Sequence, residues 1–180
     1  VAVLLAFARL AELAGRAAAL LAAACLAGIV LLVLGEVVAR DLLGRSLSLT
    51  WEIAGYLMGA TFFLGAAHTL ADGAHVRAGM QDMIPSPVLR RAVEGACLLA
   101  GLFVSLYAAR ALALLAWQSF ERGVVAWSGT GMPLAIPQGV LALGAALLAL
   151  QFAGLLARIV AGEAPFPPRG AAETAEREAL

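Results

Sequence analysis

Long stretches without charge constrain this chain more than any other feature. A bilayer core of about 30 Å is crossed by about 20 helical residues rising about 1.5 Å each. No charged residue falls between Arg16 and Glu36, and Ile53 to Ala71 contains only His68. Gly95 to Ala109 is again uncharged, and beyond Arg110 the chain stays apolar to Trp117. The stretch between Arg122 and Arg158 is too long for one helix, and Pro133 and Pro137 divide it. Proline is tolerated in a first helical turn and costly deeper in, so the last span starts near Pro137. The chain is therefore expected to be an all-α integral membrane protein with four transmembrane helices, at about 17–38, 51–71, 92–117 and 137–157. Composition excludes a soluble globule: 63% of residues are apolar and 13% charged, against about 45–50% and about 25% in soluble domains. Twelve basic and twelve acidic residues cancel, which leaves no basic field for nucleic acid.

The ends of the chain read differently. In residues 1–16, Arg9, Glu12 and Arg16 fall at i, i+3 and i+7 on one helical face. That pattern suits a helix lying in the membrane interface or a cytoplasmic extension of the first span. No h-region with a small-residue cleavage site precedes that span, so a signal peptide is not expected. Residues 159–180 carry Pro165, Pro167 and Pro168 and then mostly Glu, Ala and Arg, as expected of a flexible tail. Arginine sets the orientation, because cytoplasmic loops hold the excess of positive charge. The N-terminus, the segment between spans two and three and the tail together hold eight arginines, against Arg40, Arg45 and Arg122 on the other side. Both termini are expected in the cytoplasm. Cys25 and Cys97 then lie about 13 and about 9 Å inside the cytoplasmic boundary at about 1.5 Å per residue, away from oxidising conditions and without an expected disulfide.

Little in the spans suggests chemistry. The histidines, His68 and His75, lie seven residues apart near one end of span two, whereas a bis-histidine haem needs ligands from facing helices. Zinc-ligand spacing, a nucleophile elbow and a phosphate loop are missing from the sequence. No catalytic residue, cofactor or metal is expected. Carriers show ionisable groups inside their spans; here only Arg110 does, expected either to snorkel to the surface or to pair with Glu121 or Glu52. The competing expectation is a membrane-anchor subunit of a respiratory or other membrane complex, which histidines on facing spans would favour.

The most distinctive segment runs from Ser48 to Pro85. Ser48 and Thr50 are candidate N-caps, and Glu52 falls in the first turn, where a carboxylate meets the positive end of a helix. Trp51 and Tyr56 fit an interfacial aromatic belt. Gly55 and Gly59 form a GxxxG pair, continued by Gly65, Ala66 and Ala67, and such spacing lets helix backbones approach closely. Gly73, Ala74, His75, Val76 and Arg77 follow, either as a docking element or as an ordinary turn anchored to headgroups.

Trp51-Glu52 with Tyr56, Phe63 to Ala67, Gly73 to Arg77, Pro85, and Thr130 to Gln138 leading to Gly144 and Gln151 occur in an order that resembles the small (DctQ-type) membrane subunit of tripartite ATP-independent periplasmic, or TRAP, transporters. The resemblance covers roughly Ala17 to Arg158. One departure is that Ile53 stands where the family often has a second acid beside Glu52. The resemblance implies a non-catalytic subunit of a sodium-driven importer of organic acids. Its partners would be a large multi-span DctM-type permease, whose scaffold it enlarges, a periplasmic DctP-type binding protein and membrane lipid. It implies subunit or helix packing for Trp51, Glu52, Gly55, Tyr56, Gly59, Gly65, Ala66, His75 and Arg77. Arg40, Arg45, Glu121 and Arg122, on the outer side, are expected to touch the binding protein.

Overall fold

Alanine and leucine are strong helix formers, and a backbone crossing lipid must satisfy its own hydrogen bonds, so these apolar runs become helices. The computed structural model describes residues 2–44, 49–71, 86–127 and 131–163. It contains α1 (Ala2–Leu43), α2 (Leu49–Ala71), α3 (Pro87–Glu121) and α4 (Ala135–Val160). Each is long and apolar enough to cross a membrane. The described residues contain no strand, only an isolated antiparallel bridge between Val125 and Pro133.

Local signals explain the helix ends. Ser86 caps α3, its hydroxyl oxygen accepting the Leu89 N–H at 3.5 Å, with Pro87 in the first turn. Both α3 and α4 end in the glycine motif in which the two residues past the cap turn their N–H groups back to helix carbonyls. After α3, Gly123 (φ 59°) bonds to Phe120 and Val124 to Ser119. After α4, Gly162 (φ 87°) bonds to Ile159 and Glu163 to Arg158. Pro137 lies in the first turn of α4, where its missing N–H is harmless. α1 runs unbroken from Ala2 through Arg16 into the first span, so residues 2–16 continue that helix.

The helices alternate in direction, and α4 is the hub. It packs against α1, α2 and α3, whereas α3 makes its extensive contact with α4 alone. Two small cores result. Ala18, Ala22, Ala60 and Leu64 join α1 to α2, and Leu70, Leu98 and Leu155 join α2, α3 and α4. Trp51, Trp117 and Trp127 are all exposed at the end where α1 leads into α2 and α3 into α4. That tryptophan end fits an interfacial belt; Ala2 and Val160 lie at the other end.

Candidate functional site

Three features of the bundle bring the distinctive side chains together: a polar cluster at the tryptophan end, a seam of small residues through the middle, and an ion pair at the terminal end. At the tryptophan end, Thr50 donates its hydroxyl to Glu36 Oε2 at 3.2 Å, and both residues are buried. Arg40, one turn further along α1, lies 3.7 Å from the same carboxylate. Burying a carboxylate is costly without partners; Arg40 supplies one from the same helix, and the Thr50 hydrogen bond ties α1 to the start of α2. On α2 itself, Tyr56 donates its hydroxyl to Glu52 Oε1 at 2.7 Å. The indole of Trp51 is exposed beside them.

The seam is built by close backbone approach. A methyl at Gly144 would lie 2.7 Å from the carbonyl carbon and Cβ of Phe63, so α4 presses directly on the backbone of α2. One at Gly154 would lie 3.1 Å from Ala11 Cβ, and one at Gly15 3.5 Å from Gln151 Oε1. α1, α2 and α4 thus meet around Gly15, Ala67 and Gln151, where Ala67 is fully buried and Gln151 is 2% exposed. Thr61 adds a polar link, donating to Leu57 O of its own helix at 2.8 Å and lying 3.5 Å from Ala22 O of α1.

The glycines singled out in the sequence divide between environments. Gly59 faces the tip of Leu141 on α4, with 3.1 Å available to a methyl, and Gly65 faces Ala22 on α1 at 3.8 Å. Gly55 is exposed and has nothing within 4 Å of its would-be side chain. Ala66 is half-buried. Glu121 and Arg122 are exposed at the end of α3, and Arg40 is exposed while holding Glu36. Arg45, His75 and Arg77 lie outside the described residues. Arg110 does not pair with Glu121 or Glu52. Glu121 lies three turns away, about 16 Å along the helix axis. Glu52 belongs to α2, which makes no extensive contact with α3.

Residue order did not expose the third feature. Glu12 of α1 and Arg158 of α4 form an ion pair, both side chains mostly buried. The i, i+3, i+7 spacing marks Arg9, Glu12 and Arg16 as one face but cannot say that another helix covers part of it. Gly101 was missed as well; it packs against the ring of Phe152.

Comparison with known families decides what kind of protein this is. A family model described as "Tripartite ATP-independent periplasmic transporters, DctQ component" matches residues 29–162. The chain belongs to this family. No curated protein and no solved structure matches it. As a DctQ subunit it is a small, multi-pass membrane component of a TRAP transporter. The match takes in the polar cluster, the whole of the α2–α4 contact and the whole of α3. It begins beyond Glu12, so the Glu12–Arg158 pair joins matched and unmatched parts of the chain.

Proposed function

We propose that this DctQ subunit is a static, non-catalytic brace for a sodium-driven importer of organic acids such as C4-dicarboxylates. It packs on the scaffold of a large DctM-type permease and widens it, while a DctP-type periplasmic protein delivers the solute. In this reading it lies in the bacterial or archaeal inner membrane with both termini in the cytoplasm. The observation that supports it best is the bundle's build: a seam of glycine and alanine holds α1, α2 and α4 together while large apolar side chains face outward. A subunit with more lipid contact and fixed interfacial anchors resists tilting, so a moving transport domain has something to slide against.

Trp51, Glu52, Gly55, Tyr56, Gly59, Gly65, Ala66, His75 and Arg77 are the residues assigned to subunit or helix packing. Co-expression with the large permease and purification in mild detergent tests the assignment. The two proteins are expected to purify together, and vesicles are expected to take up solute only when the binding protein is also present. Gly59→Leu is expected to reduce recovery of the pair several-fold, because a Cβ there already lies 3.1 Å from Leu141 Cδ2 and leaves no room for a whole side chain. Full recovery and transport in that variant, or uptake by the small subunit alone, would contradict the reading.

Arg40, Arg45, Glu121 and Arg122 are assigned to contact with the binding protein. Reversing Glu121 and Arg122 together is expected to slow uptake severalfold at unchanged recovery of the membrane complex. Salt should mimic the effect, since exposed charges act over about 10 Å at 0.1 M. Uptake unaffected by the reversal would leave these residues as solvent-facing charges.

A further inference from the structure

α3 presents two unlike faces. Leu98, Gly101, Ser105, Leu112 and Ser119 point toward α4 and are buried or half-buried. On the opposite face Leu99, Phe103, Leu106, Arg110, Ala113, Trp117 and Phe120 recur at alternating spacings of four and three, and all are exposed. Such spacing is the seam by which one helix receives another. Phe103 is 73% and neighbouring Tyr107 68% exposed, so none of the described residues covers them.

Arg110 has no hydrogen-bond or ion partner among the described residues. Its depth follows from the packing. Gly101 lies against Phe152 in the antiparallel α3–α4 pair, which sets Arg110 level with Leu143, about 12 Å inside the start of α4 at about 1.5 Å per residue. Arginines within a span almost always face protein or a watery cavity and find an anion. α1 supplies the contrast: Leu20, Leu21, Val30, Leu31 and Leu34 are equally exposed, but its run from Ala17 to Gly35 has no charge. One face is suited to lipid. The other is not.

We propose that the outward face of α3 is the surface that receives a transmembrane helix of the large permease, and that this helix carries an Asp or Glu at the depth of Arg110. The proposal rests on the brace reading above and adds to it a face and a charge. Arg110 offers a planar, two-pronged donor that a carboxylate accepts in matching geometry. The flanking Phe103, Leu106 and Trp117 supply the apolar contact that excludes water from the pair. A lipid phosphate is the other anion a membrane provides, and it makes a different prediction.

The experiment uses the full chain co-expressed with the permease and a photo-crosslinking phenylalanine analogue at position 103, 106 or, as the contrast, 31. Positions 103 and 106 are expected to crosslink to the permease, and position 31 to lipid. Arg110→Glu is expected to lower co-purified permease about ten-fold, with Arg110→Lys retaining most of it and the small subunit's own yield unchanged. An acid-to-arginine change in the crosslinked permease helix should restore recovery with Arg110→Glu. Crosslinks from 103 and 106 to lipid alone, with the complex still recovered, would overturn the assignment of α3 and leave the brace reading standing. Failure of the wild-type proteins to associate at all would overturn both.

Discussion

Gly144→Leu is expected to remove the folded subunit from the membrane, and Gly144→Ala to leave it measurably weakened. The first added carbon already falls 2.7 Å from the Phe63 backbone, which cannot turn aside as a side-chain tip would. Two effects of alanine oppose each other. Its helix propensity exceeds that of glycine by up to about 1 kcal/mol, whereas overpacking a close contact costs about 1–3 kcal/mol. The clash wins where the obstacle is backbone. Gly139 lies on the same helix with nothing within 4 Å, so Gly139→Ala is expected to be neutral or slightly stabilising. Thermal unfolding in detergent, followed by helical circular dichroism, gives the comparison. If both alanine variants unfold alike, α4 does not bear on α2 as closely as described. Gly101→Ala should fall between them, because the atoms it meets belong to the Phe152 ring.

Arg158→Glu is expected to be the most damaging single charge change at the terminal end. It replaces the Glu12–Arg158 pair with two mostly buried carboxylates. Hydrogen bonds to charged groups are worth about 1.5–3 kcal/mol, and turning attraction into repulsion loses at least that much. Glu12→Arg should do similar harm, since it sets two guanidinium groups together. The double variant Glu12→Arg with Arg158→Glu restores opposite charges across the same gap and is expected to recover most of the stability. Protease sensitivity of the α1 N-terminal segment is the direct measurement, because this pair links it to α4. Equal sensitivity in the wild type, both single variants and the double variant would mean that the pair does not hold α1 in place.

The four helices were legible in the sequence for a physical reason: in lipid, an uninterrupted apolar run has few ways to satisfy its backbone other than a helix. Pro137 marked the start of α4, found at Ala135. The limits of α3 were less visible. It extends to Pro87 and Glu121, beyond the apolar run, because Ser86 caps one end and the Gly123 turn closes the other. The order of Trp51-Glu52, the Gly-Ala patch and the TGMPLAIPQ segment pointed to the family that the match over residues 29–162 then established. The small residues were visible too, but not their partners. Gly55 and Gly59 look equivalent in a GxxxG pair; one is open and the other faces Leu141.

By itself, then, the sequence determined that this chain is a membrane helical bundle, where its helices run and which family it resembles, because apolar length and local turn residues act over a few neighbours. Tertiary structure alone decided that α4 is the hub, that Gly144 rides on Phe63, that Glu12 meets Arg158 and that Arg110 is left facing outward. Those facts depend on how each helix is rotated and set against the others. In a chain so rich in alanine and glycine many small-residue stripes could serve as a seam, and only the packing of whole helices selects among them.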